Sequence, residues 1–498
     1  MLIGVIIRLC VHMKQTAPYT QQVLTEIPTY RSVPNRPDKL PSLKVNGVAK
    51  ISSRVLDSGI EARINGKSFR LRYPRSIWHR FPKGHRKILS QNIAFAHTFQ
   101  LPYLYTTIQR MFYSLPVPLS EAFLFKGLAM ALPSTAIMQS HKDMRVTSNL
   151  LRKLYDIDYS YSSKKTDVPP YNRTSYYDHA VMPFTFGKDS LLTFALSRDL
   201  GLTVTPVYIS EPYYAYEEYI KKLLAIPFER EFRIRIAMLR NSFGVFRDPY
   251  GWFGWELQLT QYSLMLLPYV FAKRAGYILF SNEQSCNDTI IDEDGFRCNP
   301  VFEQSHSWLL QNSLMASIVG GNSLSIGSLL EPIHEIAIER ILHRRYPHIG
   351  KYQSSCDLPE QPRSGGRWCE NCSKCARMYM FMLANGINPR HVGFKHDLIR
   401  QKDHRHYSIF SDHRPMEFGY DQSESGRKEQ LLAFLLAYKK GVRGPVMKTF
   451  IKHYLKKTKK MEKSLRQTFF GLHSTKTIPA FLRSKVLKIY QQELAGLS

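Results

Sequence analysis

From residue 179 onward, short apolar runs alternate with helical stretches, and this alternation limits the possible folds more than any other feature. The apolar runs are His179–Phe186, Thr203–Ile209 and Tyr277–Phe280, and the helical stretches include Leu191–Asp199 and part of Glu256–Arg274. Strands joined by helices in this order favour a parallel sheet, since a helix is the usual crossover between parallel strands. We therefore expect an α/β fold that binds its ligands at the carboxyl ends of the strands.

The rest of the chain is predicted to flank this domain. At roughly 100–200 residues per domain, the 498-residue chain should form two to four domains. Its composition and patterning predict a flexible, proline-rich leader (1–44), an N-terminal α+β unit with a β-hairpin turn at Asn65–Gly66 (45–155), a polar linker (156–172), the α/β ligand-binding domain (173–395) and a basic, mainly helical C-terminal region (396–498).

A glycine-containing turn follows the first apolar run. Its residues are Thr185, Phe186, Gly187, Lys188, Asp189 and Ser190. The glycine lets backbone amides approach an anion, the helix that follows offers free amides, and the lysine adds a positive charge. Ser190 can donate to a phosphate oxygen, and Asp189 can help to hold a Mg²⁺ ion that bridges phosphates. The turn therefore predicts a nucleotide-phosphate site, with an ordinary strand-to-helix turn as the alternative.

Four of the seven cysteines lie close together in the sequence, at Cys356, Cys369, Cys372 and Cys375. Four soft thiolates with two tight spacings suit a tetrahedral Zn²⁺ ion, and a four-ligand site leaves no open position, so the metal should be structural. An iron–sulfur cluster is a less favoured alternative. Crowded cysteines of this kind indicate a reducing compartment, and we expect a cytoplasmic protein.

The charge balance predicts a polyanionic partner class. The chain has a net charge of +29, and residues 439–498 carry fifteen Lys or Arg against two Glu. Such a basic tail is either a solvated helix face or a surface that binds RNA or phosphate. The apolar run at residues 1–13 is shorter than the roughly 20 residues needed to cross a bilayer, so no membrane span is expected.

The turn at 185–190 resembles the PP-loop of ATP pyrophosphatases, whose usual form is Ser-Gly-Gly-x-Asp-Ser. Thr185 keeps the hydroxyl of the first position. Phe186 replaces the first glycine, which removes a residue that takes positive φ at low cost. The spacing required for a Walker A loop is absent.

A PP-loop followed by this cysteine pattern resembles the 7-cyano-7-deazaguanine synthases of the queuosine pathway. Further segments between Tyr177 and Leu383 are more similar to the ATP-dependent UDP-N-acetylmuramoyl-L-alanyl-L-glutamate epimerases. These segments are Ser281–Ser285, Phe302–Ser307, Leu330–Glu335, Ser355–Cys356 and Trp368–Cys375.

The resemblance implies cleavage of ATP to AMP and pyrophosphate with adenylation of a small or nucleotide-linked carboxylate. In the epimerases this is the terminal glutamate, and an acyl adenylate makes the neighbouring proton easier to remove. Inversion needs an acid and a base, for which the matching segments offer Glu283, Glu303 and His306. His306 is the first choice because its ordinary pKa lies near neutrality. For each residue, capping, packing or ion pairing is the alternative role.

Three functions are therefore in competition. The first is a PP-loop adenylating enzyme, in its sharpest form an epimerase. The second is a PP-loop enzyme that modifies a nucleobase or tRNA, which the basic tail favours. The third is a nucleotide- or RNA-binding protein without catalysis.

Overall fold

The computed structural model describes most of the chain from residue 39. The described residues are 39–43, 45–138, 147–163, 165–171, 176, 178–248, 252–292, 294–357, 362, 365–400, 406–410 and 423–498. Nearly all of the predicted leader (1–44) lies outside them.

The N-terminal part contains a five-stranded mixed sheet in the order β3-β2-β1-β4-β5. Its strands are β1 (Val48–Leu56), β2 (Gly59–Ile64), β3 (Lys67–Arg72), β4 (Arg110–Pro116) and β5 (Asp158–Ser163). β1, β2 and β3 pair antiparallel, and β4 is parallel to both neighbours. The helices of this part are α1 (Arg75–Trp78), α2 (Lys83–Thr98), α3 (Leu101–Leu104), α4 (Glu121–Met138) and α5 (Thr147–Asp156).

The predicted hairpin turn joins β2 to β3. Asn65 and Gly66 adopt φ values of 46° and 83°, the left-handed conformation that tight hairpin turns require.

The prediction of a linker at 156–172 is wrong where β5 runs. Polar composition suggested a loop, but alternate tyrosines give the segment one packing face. The Tyr159 ring contacts Phe125 at 4.7 Å and the Tyr161 ring stacks on Tyr113 at 5.5 Å. These aromatic contacts hold β5 against β4 and the helix behind it.

The second sheet confirms the expected α/β class. It has five strands in the order β12-β9-β6-β7-β8, and every pair is parallel. Its strands are β6 (His179–Pro183), β7 (Thr203–Ser210), β8 (Ala237–Arg240), β9 (Tyr277–Phe280) and β12 (Ser325–Ser328), and a short hairpin of β10 (Ile290–Ile291) and β11 (Arg297–Cys298) precedes β12. The helices are α6 (Lys188–Asp199), α7 (Ala215–Phe232), α8 (Gln258–Lys273), α9 (His306–Gly320), α10 (Glu335–Arg345), α11 (Pro347–Gly350) and α12 (Ser373–Asn385).

Successive residues of the central strands pack on opposite faces of this sheet. Val181 and Ile278 join a core shared with the N-terminal sheet, and Ala180 and Leu279 join a second core. Both faces are covered, which is why these strands are continuously apolar.

In the described part of the C-terminal region, four more helices complete the second core with their apolar sides. They are α13 (Glu424–Lys439), α14 (Pro445–His453), α15 (Leu455–Phe469) and α16 (Ala480–Leu494). Among the described residues, no helix is both long and apolar enough to cross a membrane.

Candidate functional site

The order of the parallel strands creates one crevice at its centre. From β6 the chain proceeds outward to β7 and β8, and then crosses to β9 and β12 on the other side of β6. The loops after the adjacent strands β6 and β9 therefore diverge, and open α/β sheets bind ligands at such a switch point. The turn at 185–190 follows β6, and Glu283 lies in the loop after β9.

Phe186 occupies the conformation that a glycine usually supplies. Its φ is 57°, in the left-handed region. This costs a residue other than glycine about 1–2 kcal/mol. The phenyl ring is 1% exposed and contacts the rings of Phe184 at 4.8 Å and Phe228 at 5.3 Å. Burial of the phenyl ring therefore offsets the free energy that the positive φ of Phe186 costs.

Hydroxyl groups hold the turn together from inside. The Gly187 amide donates to Thr185 Oγ1 at 3.4 Å, and the Thr185 amide donates to Ser190 Oγ at 3.3 Å. Ser190 Oγ donates to the Gly187 carbonyl at 3.1 Å. Gly187 is the N-cap of α6, so the turn leads directly into the first free amides of that helix.

A buried chain of alternating charges starts at this turn. Lys188 Nζ lies 2.7 Å from Asp189 Oδ1 and 3.8 Å from Glu335 Oε2, which lies 3.0 Å from Arg377 Nε. Burial lowers the pKa of Lys188, but the carboxylates of Asp189 and Glu335 outweigh it and raise the net pKa. Burial raises the pKa of Glu335, but Arg377 and Lys188 outweigh it and lower the net pKa. Lys188 and Glu335 therefore stay ionised at neutral pH.

Glu283 faces the same charges from the β9 side. Its carboxylate accepts from the Ser285 amide at 2.8 Å and from the Ser285 hydroxyl. Burial and the neighbouring Glu335 raise the pKa of Glu283 well above its usual value, although Lys188 opposes them. The protonated form of Glu283 is therefore more stable here than in water, and in that form it could donate a proton.

Glu303 makes the contacts expected of a helix cap. Its Oε2 accepts from the amides of Leu259 at 2.8 Å and Thr260 at 3.3 Å, in the first turn of α8. Burial raises the pKa of Glu303 to about 8. The capping alternative accounts for this residue.

His306 is the first residue of α9 and contacts the C-terminal region. Its Nε2 lies 3.3 Å from Lys476 Nζ, and its Nδ1 lies 3.8 Å from Glu331 Oε1. Burial and the Lys476 ammonium lower the pKa of His306, against the effect of Glu331. The ring is therefore neutral at neutral pH and can accept a proton.

The segment that carries Lys476 is held by Glu331. The Glu331 carboxylate accepts from the amides of Lys476 at 3.2 Å and Thr477 at 2.6 Å. Sequence reasoning missed both Lys476 and Glu331 as partners of His306. The segment Leu330–Glu335, which contains Glu331, matched a family motif. The loop between α15 and α16, which contains Lys476, matched none.

The structure brings Glu283 and His306, two of the three predicted catalytic residues, into neighbouring segments. The His306 amide donates to Asn287 Oδ1 at 2.8 Å, and Asn287 ends the short 3₁₀ helix that Glu283 caps. The Glu303 carboxylate is instead bound to α8. Sequence reasoning also missed Arg377, whose partner Glu335 links it to Lys188.

The four cysteines form a compact group. The sulfur atoms of Cys356, Cys369, Cys372 and Cys375 all lie within 4.8 Å of one another, and the sulfurs of Cys369 and Cys375 are 3.5 Å apart. A tetrahedral ion with Zn–S bonds of about 2.3 Å separates its ligands by roughly 3.8 Å. The group could therefore hold a metal ion. Cys372 caps α12, and its sulfur accepts from the Cys375 amide at 3.4 Å.

The cysteine group is connected to the turn after β6. Ser354 donates its amide to the Phe186 carbonyl at 2.8 Å, and Ser355 Oγ accepts from the Lys188 amide at 3.1 Å. Cys356 follows directly in the chain. A metal ion that restrains the position of Cys356 would therefore also restrain the backbone of the turn at 185–190.

Asp189 is the predicted Mg²⁺ ligand, and its surroundings do not identify a magnesium site. Both its carboxylate oxygens lie within 2.8 Å of Lys188 Nζ. Within the described residues, the cysteines are the only group of three or more His, Cys, Asp or Glu placed to share an ion.

Comparison of the chain with protein-family models, with curated proteins and with solved structures gives no match.

Proposed function

We propose that this protein is an ATP-dependent adenylating enzyme of the PP-loop class, which forms AMP and pyrophosphate while activating a carboxylate. The observation that carries the proposal is the position of the turn at 185–190 after β6, at the switch point of a parallel sheet. A helix N-terminus at this position suits the phosphates of a nucleotide. Lys188 and Arg377 place two cationic groups beside it, each paired with a carboxylate.

In the proposed reaction, a carboxylate oxygen attacks the α-phosphorus of ATP. The bond from that phosphorus to the bridging oxygen breaks, pyrophosphate leaves, and an acyl adenylate remains. The first turn of α6 would bind the phosphates through its amides, while the Lys188 ammonium stabilises the developing charge. The described residues present no ligand set for Mg²⁺, so no step is assigned to that ion.

The pairing of His306 with Lys476 favours an epimerase over a nucleobase-modifying enzyme. A neutral His306 would remove the proton next to the activated carbonyl, and the nearby ammonium of Lys476 would favour an anionic substrate. A protonated Glu283 would return a proton to the opposite face. Hydrolysis of the adenylate would then release AMP and the inverted acid.

We further propose that the metal at the four cysteines is structural zinc. The four sulfur atoms are close enough for a single ion. A four-iron cluster is wider than a single ion and holds its thiolates further apart. With four protein ligands, zinc would have no open position for water, so its role would be to fix Cys356 and, through Ser355, the turn.

Pyrophosphate release in the presence of a panel of carboxylates and tRNAs tests this function, with mass spectrometry for AMP-linked products. Ser190→Ala should lower kcat/KM for ATP by about 10- to 100-fold, because it removes the hydroxyl that holds the turn through Thr185 and Gly187 and that could bind a phosphate oxygen. Ser197→Ala is the matched control, because Ser197 is a buried hydroxyl in the same helix that donates to the Thr193 carbonyl. Equal activity of the two variants, or no AMP with any acceptor, would contradict the proposal.

A further inference from the structure

The helices α14 and α15 carry an exposed surface of lysines that the proposed reaction does not use. We define the lysine face as seven residues that are all exposed: Lys448, Lys452, Lys456, Lys457, Lys459, Lys460 and Lys463. Glu462 is the sole acidic residue in these two helices, and its carboxylate is bound by Lys439 and Arg466. No acidic side chain of α14 or α15 therefore neutralises the lysine face.

Helical geometry gathers these lysines on the side opposite the core. Successive residues of an α-helix are rotated by about 100°, so positions three, four and seven apart share a face. Lys456, Lys460 and Lys463 share one side of α15, while Leu465 and Phe469 are buried on the other side. In α14, Lys448 and Lys452 likewise lie opposite the buried Phe450.

This arrangement places like charges next to each other. Lysines four residues apart on a helix repel one another, and mixed signs are the usual composition of a solvated surface. A polyanion would remove the repulsion and release its own counterions. The clustering therefore favours a polyanionic ligand over a merely solvated face.

We propose that the lysine face binds the phosphate backbone of nucleic acid, with structured RNA as the ligand to be tested first. Phe450 and Phe469 are buried, so these rings offer no platform for stacking unpaired bases. Because the groups offered to the ligand are lysine ammonium ions, recognition would be of the phosphate backbone and not of the base sequence.

An anionic membrane is the competing polyanion, and the packing of the helices disfavours it. A helix that binds a membrane surface inserts an apolar face. In α14 and α15 the large apolar side chains are mostly buried against the core, among them Val446, Met447 and Leu465. Leu455 and Met461 are partly buried against the same core, and Ile451 is exposed at 37%. The apolar faces of these helices are therefore mostly packed inside the protein and are not available for insertion into a membrane.

The test measures the affinity of the full chain, without ATP, for a folded RNA hairpin at several salt concentrations. With five lysine–phosphate contacts, the slope of log K against log salt should be about −4. The triple variant Lys456→Gln, Lys460→Gln, Lys463→Gln should weaken binding and flatten the slope by roughly 1 per lysine removed. Because all three are exposed, circular dichroism should show an unchanged fold.

The matched control is Lys50→Gln, Lys83→Gln, Lys126→Gln, which removes the same charge from exposed positions elsewhere. It should bind RNA like the unchanged protein. Duplex DNA binding with the same dependence on the lysine face also supports the proposal. Equal losses in both triple variants, no RNA binding, or binding to vesicles containing phosphatidylserine but not to RNA would each overturn it. None of these results depends on adenylating activity.

Discussion

The strained turn at Phe186 leads to a prediction about replacing a buried phenylalanine by alanine or by glycine. Glycine should give the more stable variant in this turn, whereas alanine should do so in a helix. Removing a buried phenyl ring costs about 3–5 kcal/mol, so both Phe186→Ala and Phe186→Gly should destabilise the protein. At φ = 57° the glycine variant should be the more stable of the two. We expect a difference of about 1 kcal/mol, because the penalty on alanine at positive φ exceeds the entropic cost of glycine.

Phe194 provides the matched comparison. Its ring is also buried and contacts Phe184 and Phe228 at 5.8 Å and 5.1 Å, but it lies inside α6. There alanine should be more stable than glycine by about 1 kcal/mol, because glycine is a poor helix former. Urea unfolding measures the free energy of unfolding of all four variants, provided that the m value, the slope of this free energy against urea concentration, is the same for each. If Phe186→Ala were as stable as Phe186→Gly, the left-handed turn and the argument for its compensation by burial would be wrong.

Two further predictions concern the metal and a buried acid. The purified protein should contain about one zinc ion per chain. Elemental analysis should find this zinc lost in Cys372→Ser and retained in the control Cys298→Ser, which changes a buried cysteine outside the group. An equal zinc content in both variants would contradict the site. The raised pKa of Glu303, about 8 against 4.5, means that the folded protein binds an extra proton between these values, so stability should fall as pH rises through this window. Glu303→Gln should remove on the order of 5 kcal/mol of this fall. Glu218→Gln, at a partly exposed position of α7 that pairs with Lys222, should leave it unchanged; identical pH profiles for the two variants would refute the burial argument.

The sequence predicted the features that depend on local patterns. The strand Tyr277–Phe280 has the predicted bounds, and the apolar run at Thr203–Ile209 lies within β7. A buried parallel strand is continuously apolar whatever its neighbours are, so its position is visible in the sequence. The two-residue spacings of the cysteines likewise bring three thiolates together within one turn and one helix start.

Features that depend on distant partners were not predictable in this way. The polar segment of β5 is ordered by rings from two other elements, and its own composition predicted a loop. Glu303 belongs to a segment that predicted catalysis, yet its carboxylate caps a helix that begins 45 residues earlier, at Gln258. Lys476 reaches His306 from a loop that has no recognisable pattern.

For this protein, the sequence alone determined the fold class, the place of the turn after β6 and the set of thiolates, because each follows from spacing and hydrophobicity over a few residues. The tertiary structure decided which charges meet. The order of the strands brings Lys188, Glu283 and Glu335 to one crevice, and the C-terminal helices bring Lys476 beside His306. Electrostatic energies depend on distance and burial in space, and neither quantity is written in the spacing of residues along a chain.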